Sequence, residues 1–280
     1  MIEVRRRDTG AIALTRAEDS LAGLQLESAD LPYASLGDFD LRDANPRGAD
    51  LCNADLRGAQ LVGATLIGAD LTSSNCVRAD FSRTSLGDAR LQAINRATKG
   101  DAGTRFRRAD CTRCTLKHSN LSASSFADAT LHRADFTRSV LRNADFAGAE
   151  LTGADLSFCD LRGASLAHAS LVGAILAGCN LEGADLTGVD LTLASLNGVK
   201  CAGARFGGSL WSKTSLARAT GLQLATGLDD LRLGDASSID LWTLRAHASL
   251  PGDFLEHCGA PPEVVAALAP LHLPAARASA

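Results

Sequence analysis

Every fifth residue from Leu21 to Leu216 comes from a very narrow set, and this period restricts the fold more than any other property of the chain. Of the 40 positions visited, 27 are Leu, six Phe, three Cys and one Trp; the exceptions are Pro46, Arg96 and Asp101. The residue two places earlier is usually Ala, otherwise commonly Ser, Cys, Thr or Val. The residue just before is often Asp or Asn, as in Ala54-Asp55-Leu56-Arg57-Gly58 and Ala184-Asp185-Leu186-Thr187-Gly188. Helical faces recur every ~3.6 residues and strand faces every ~2, so a period of five suits neither. It suits a coil with short straight sides and regular corners. Leu or Phe points to the axis, and the small residue packs inward beside it, where a larger one would meet the neighbouring coil. Asp or Asn can bond backbone groups at the turn, and Gly supplies a positive φ where a corner needs it. Composition agrees: 46% of residues are hydrophobic but only 4% are aromatic. A core of Ala and Leu points to a regular stack, not to the interlocking of large shapes.

Over about residues 21–220 this pattern resembles the pentapeptide-repeat family. The resemblance implies an all-β fold, a right-handed quadrilateral parallel β-helix with four pentapeptides to each coil, so that 20 residues return to the same face. Phe106, Phe126 and Phe146 fall 20 apart with Phe206 on the same face, and so do Cys159 and Cys179 at small inward positions. Forty pentapeptides make about 10 coils, a rod ~45 Å long at the usual strand spacing. Such a rod has open ends that need covering. Residues 1–20 suit a hairpin-like cap, with Ile2-Glu3-Val4 and Ala11–Leu14 as strands around Asp8-Thr9-Gly10. Residues 221–280, where the period fails, suit a helical cap. Ser237-Ser238 is expected to cap a helix over Ile239–Arg245, Pro251 to begin a second that Gly259 ends, and Pro262 to open a third over Glu263–Leu268.

The period is interrupted at Ile94–Arg105, where charged Arg96 and Asp101 fall on consecutive inward positions. Buried unpaired charges are costly, so the segment is expected to bulge or loop out. In gyrase-protecting members of the family a protruding loop matters for activity.

The candidates for chemistry have structural explanations. Cys111-Thr-Arg-Cys114 is a C-x-x-C, but a zinc ribbon needs a second pair or matching histidines, and both cysteines take inward positions. Cys159 and Cys179 are read as stacked reduced thiols. Asp135 and Asp155 should lie on adjacent coils as turn residues, although such a pair is also the raw material of acid–base work. The six histidines form no ligand motif. No cofactor, metal site or enzymatic activity is expected. Arg5-Arg6-Arg7 resembles a twin-arginine signal, but the apolar run Ala11–Leu14 is too short for a signal core, and no stretch approaches the ~20 apolar residues of a membrane span. The expected location is the cytoplasm, away from membranes.

Charge is distributed unevenly. Residues 21–75 sum to -5, residues 76–142 to +7 and residues 143–216 to -3, within a chain of net charge -4. These charges have a plain reading as solvated side chains; the functional reading of the basic middle is a docking surface for an unidentified protein partner, with Arg96, Lys99, Arg107, Arg108, Arg113, Arg133 and Arg138 as the candidate contacts. Direct nucleic-acid binding is not expected. The family resemblance implies an alternative: mimicry of DNA, binding DNA gyrase and protecting it from quinolones or other poisons. That mechanism needs a dominant acidic face, on which Asp50, Asp55 and Asp70 would serve. The segment Ser238–Leu244 followed by Leu250–Gly259 resembles the connector of bacterial pentapeptide-repeat proteins that continue into a TIR domain. The resemblance reaches only this connector within the 280 residues, so no NAD-cleaving activity is implied. Trp242, Leu244, Phe254 and Leu255, with Leu241, Val264, Val265 and Leu268, are the candidates for covering the last coil and for pairing two copies into a dimer.

Overall fold

The computed structural model describes residues 1–17, 20–246, 250–263 and 265. Its main body is a right-handed quadrilateral parallel β-helix. Each side is a single bridging residue, and the bridges join positions 20 apart: Asp30 to Asp50 to Asp70 on one face, Asp145 to Ser165 to Asp185 on another. Backbone groups connect each coil to its neighbours. The N–H of axial Leu31 donates to the carbonyl of Asp50 at 2.8 Å, while the N–H of Asp50 donates to the carbonyl of Ala29 at 2.9 Å.

Each corner is a tight turn. Leu51 accepts from the N–H of Ala54 at 3.0 Å, and the third residue of that turn, Asn53, has φ 58. A positive φ at this place is the mark of a type II turn. The residue before the axis closes the turn from outside: Asp50 Oδ1 accepts the N–H of Cys52 at 2.9 Å and Asp155 Oδ1 that of Ser157 at 2.8 Å. The Asp-Leu pair in the repeat therefore has a dual role, Leu filling the axis and Asp satisfying a donor that the turn leaves free. Axial residues Leu56, Leu121, Phe126, Leu151 and Leu186 are all buried.

The aromatic ladder is longer than the sequence suggested. Phe81, Phe106, Phe126 and Phe146 stack with centroids 5.1, 4.8 and 4.8 Å apart. Phe81 and Phe106 are separated by 25 residues because the coil between them carries an insertion, seen also in the bridges Asp80 to Arg105, Ser85 to Asp110 and Arg90 to Thr115. The insertion is extruded. Residues 96–101 stand where the coils on either side have one axial residue, Cys76 or Leu121, and Arg96 and Asp101 are exposed. Asn95 repairs the ladder from a buried position: its Oδ1 accepts the N–H of Cys76 at 2.6 Å, and its Nδ2 donates to Thr104 Oγ1 at 3.1 Å.

The ends are covered differently. At the first coil, β1 (Ile2–Arg5) and β2 (Ile12–Arg16) form an antiparallel hairpin. The N–H of Ser35 donates to the carbonyl of Arg5 and that of Arg7 to the carbonyl of Tyr33. Two arginines act as clamps: Arg6 meets Asp30 at 2.8 Å, and Arg7 donates to the Asn53 carbonyl at 2.7 Å. At the other end the five-residue period fails after residue 220, but parallel pairing continues. Arg205 bridges Thr226, β3 (Leu210–Trp211) pairs with β5 (Arg232–Leu233), and β4 (Ser215–Leu216) with β6 (Ser238–Ile239). Gly227 (φ 76) makes this layer possible, since a Cβ there would lie 2.3 Å from the Gly207 nitrogen.

The first C-terminal helix, α1, spans Leu241–Ala246. Its cap is Asp240, whose Oδ1 accepts the N–H of Thr243 at 2.9 Å. Ser237 instead accepts the N–H of Thr214 at 3.1 Å, so the expected Ser237-Ser238 cap is replaced because these residues still belong to the rod. The second helix, α2, spans Gly252–His257 after Pro251. Its Phe254 meets Trp211 edge to face at 5.3 Å, and Trp211 meets Phe206 at 5.7 Å, closing the apolar axis. A helical segment begins at Pro262; Val264 and Leu268 lie outside the described residues.

Two substitutions test this reading of the core. Leu151→Asp puts an unpaired carboxylate on the axis and is expected to lower the melting temperature drastically; an unchanged melt would refute the register. Asn95→Ala removes the acceptor for Cys76 and is expected to cost about 1–3 kcal/mol in chemical denaturation, while the same change at exposed Arg96 leaves stability unchanged.

Candidate binding surface

The seven basic residues singled out from the sequence do not form one patch. Consecutive pentapeptides occupy consecutive faces, so residues two pentapeptides apart lie on opposite sides of the square. Arg96 and Lys99 belong to the loop, which leaves the face carrying Asn95, Asn120, Val140 and Asp160. Arg138 stands on a corner of that same face. Arg107 and Arg108 lie at one corner of the opposite face, Arg113 and Arg133 at its other corner.

The two groups differ in their pairing, although Arg133 on the far side, like the loop-side residues, has no carboxylate partner among the described residues. On the far side Arg107 and Arg108 share Asp128, both at 3.5 Å. Arg113 grips both oxygens of Asp88 at 2.6 Å, and this hydrogen-bonded guanidinium holds the Asp88 carboxyl below its ordinary pKa. On the loop side, Arg96, Lys99 and Arg138 have no carboxylate partner among the described residues. Arg138 instead lies over the ring of Phe158, 5.5 Å from its centroid, a cation–π contact. Phe158 is in turn seated on glycine: a Cβ on Gly178, the next residue of the same corner, would come within 2.7 Å of the ring.

The loop itself is held in place. Asn120 Nδ2 donates to the carbonyls of Thr98 and Gly100, both at 2.9 Å. Between loop and rod lies an open cleft of about 340 Å³, lined by Arg96, Lys99, His118, Val140, Arg138 and Arg142 among others. Asp101 is an acidic group in the same lining.

The residues with possible catalytic or metal chemistry are used structurally. Asp135 and Asp155 bridge adjacent coils, as their spacing suggested. Burial works to raise the Asp135 carboxyl, but Lys117 at 2.7 Å and Thr137 outweigh it and hold it low. The thiol of Cys114 donates to the Leu86 carbonyl, and those of Cys159 and Cys179 to the carbonyls of Phe136 and Leu156. All eight cysteines are free, and burial pushes Cys76 and Cys179 up to about 12. Among the described residues no group of three or more His, Cys, Asp or Glu is arranged to hold a metal, and no helix is long and apolar enough to cross a membrane.

Comparison with known proteins identifies the repeat. The family model for pentapeptide repeats matches in 8 copies, between residues 20 and 95 and between residues 104 and 210. The chain belongs to the pentapeptide-repeat family. The unmatched gap, 96–103, contains the extruded loop. Among solved structures it is similar to HetL, a pentapeptide repeat protein involved in heterocyst differentiation regulation from the cyanobacterium Nostoc, at 30% identity over 78% of this chain and 85% of that one, with TM-score 0.36. It is also similar to Rfr23 from the cyanobacterium Cyanothece, at 31% identity over 37% of this chain and 64% of that one, TM-score 0.28. A third similarity is to QnrB1, a plasmid-mediated fluoroquinolone resistance protein, at 16% identity over 79% of this chain and 93% of that one, TM-score 0.32. A search of curated proteins finds no match.

One ion-pair cluster beside the cleft gives a pH prediction. Arg162, and then Arg142 at 2.6 Å, hold the Asp160 carboxyl down to about 2, below the unfolded value of ~3.9. A carboxyl depressed by folding stabilises the protein above its unfolded pKa, and that contribution disappears as pH falls through the folded one. The stability gap between wild type and Asp160→Asn is therefore expected to be largest near neutrality and to shrink between pH 4 and 2, read by denaturant titration.

Proposed function

We propose that this protein is a non-enzymatic scaffold that docks a protein partner through the basic middle of its rod, in a stress, defence or antibiotic self-protection role in the cytoplasm. Proteins of this family generally act as such scaffolds. The observation that carries the reading is the +7 charge of residues 76–142, flanked by acidic stretches on either side. Complementary charge of this kind steers a partner and fixes where it lands along the rod. Many of the carboxylates on the faces, among them Asp50, Asp135, Asp155 and Asp160, are engaged in turns or ion pairs, and free thiols suit a cytoplasmic setting.

Gyrase protection by DNA mimicry is the second reading. Asp30, Asp50 and Asp70 favour it, forming a row of carboxylates on successive coils. Two other observations weigh against it. Asp70 is paired with Arg90, and Asp55 is buried against Arg57 at 2.6 Å with Arg7 at 3.8 Å. A DNA-binding groove selects for unpaired negative charge, and the basic belt would oppose entry.

Self-association through the C-terminal end is part of the proposal. Leu244, Phe254 and Leu255 are buried within the cap, whereas Trp242 is 51% exposed and Leu224 61%, leaving apolar surface there for a second copy. Light scattering at micromolar concentration should give more than the 29.0 kDa of one chain; a monomer refutes this part.

The docking reading is tested by affinity capture from native lysate, with gyrase subunits probed directly. Capture should weaken as salt rises and vanish when Arg96, Lys99, Arg107, Arg108, Arg113, Arg133 and Arg138 are all changed to Glu. In a supercoiling assay the protein should neither inhibit gyrase at low micromolar concentration nor rescue it from a fluoroquinolone. Rescue that depends on Asp50, Asp55 and Asp70 and not on the arginines would establish DNA mimicry instead.

A further inference from the structure

We infer that the cleft between the 96–101 loop and the Asn120 face is the seat of an acidic peptide segment of the partner, and that the arginines of the opposite face take no part in it. The inference rests on the docking function above and narrows it to one side of the rod and one ligand chemistry.

Three observations converge on this cleft. The first is unspent charge. Arg96, Lys99 and Arg138 face it without carboxylate partners among the described residues, while Arg107, Arg108 and Arg113 opposite are already engaged with Asp128 and Asp88. A ligand carboxylate arriving on the far side would meet three arginines already holding internal carboxylates and one, Arg133, without a carboxylate partner among the described residues; on the loop side all three cations are unpaired.

The second is preorganisation. The loop is tied down by the two bonds from Asn120, Asn95 holds its base, and Arg138 is steadied on Phe158. A loop backbone and an arginine held in place before binding leave less conformational freedom to be lost when the ligand arrives.

The third concerns ligand size and class. The cleft is about 340 Å³, with Val140 beside Ser119 and Ser122 along the rod wall, a mixed lining that suits a few amino-acid residues with both methylene and carboxylate parts. The rod is acidic on both sides of the basic stretch, with sums of -5 and -3. A long polyanion such as a nucleic acid would run onto these regions and be repelled. A short acidic segment would not reach them. The backbone groups of the rod wall are used in bonding coil to coil, so recognition falls to side chains and not to strand addition.

The probe is a fluorescein-labelled hexaglutamate peptide, titrated with the full chain and followed by anisotropy. The chain's net charge is -4, so the molecule as a whole does not attract an acidic peptide, and the two sets of reversals separate the cleft from the rest of the basic stretch. Wild type is expected to bind saturably. The triple variant Arg96→Glu, Lys99→Glu, Arg138→Glu should lose at least about tenfold in affinity, while reversing Arg107, Arg108, Arg113 and Arg133 should change it less than about twofold, although the latter alters net charge more. The corresponding Gln variants serve if a reversal lowers the melting temperature. Asn120→Ala, which frees the loop but keeps every cation, should also weaken binding.

No binding by wild type, or equal loss from both sets of reversals, overturns the inference. Tighter binding of a hexathymidylate strand than of the peptide overturns it in favour of a nucleic-acid site. Partner capture that survives the triple reversal but not the seven-residue reversal refutes this cleft while leaving the docking function standing. Absence of any captured partner refutes the docking function itself.

Discussion

The structure depends on one constraint: backbone groups of each coil must bond those of the next, in a register of 20 residues wherever the coil carries no insertion. The bonds from Leu31 to Asp50 and from Asp50 to Ala29 are repeated from coil to coil on either side of the insertion. Coils spaced by strand hydrogen bonding lie ~4.8 Å apart, too close for anything large beside the axial residue. Ala, Ser and Cys occupy the flanking inward positions for that reason, and Leu or Phe the centre. The inside is thus nearly invariant in chemistry, and individuality is confined to residues that point outward.

The same constraint decides how charge can be used. Side chains on successive coils stand over one another, so a carboxylate on one layer readily meets an arginine on the next, as Asp88 meets Arg113 and Asp185 meets Arg205. Exposed pairs of this kind add little stability each, but they neutralise a surface locally. A sequence count of charges therefore overstates what a partner would feel. The loop escapes this pairing because it stands away from the stacked columns.

The axis was legible from the five-residue period, since Leu, Phe and their small neighbours are forced by packing that repeats identically. The corners were less so. Arg108, Arg113 and Arg133 have φ of 54 to 57, a region that costs a non-glycine residue about 1–2 kcal/mol, and nothing in their identity announces it. The seating of Phe158 over Gly178 depends on two residues 20 apart whose relation appears only when the backbone is known. Phe81 was missed as a rung because the insertion shifts its partner to 25. The continuation of the rod through Ser238 was hidden in another way: Arg205 to Thr226, Leu210 to Arg232 and Ser215 to Ser238 are separated by successively longer intervals, and a growing interval leaves no period to read. The loop was foreseen from Arg96 and Asp101, but the division of the basic residues between opposite faces follows only from counting faces around the coil.

The 25-residue coil also bears on how such rods change length. An added pentapeptide has two outcomes: it is wound into the coil, turning everything beyond it by a quarter revolution, or it is expelled and leaves the downstream faces in phase. Charged residues at the would-be axial sites, Arg96 and Asp101, select expulsion here. Four pentapeptides added together would instead slide the loop along the rod by one layer, ~4.8 Å, without rotating it. Duplication of short coding segments can therefore move a docking loop along such a protein in discrete steps, or create a new one, while the rest of the surface keeps its alignment.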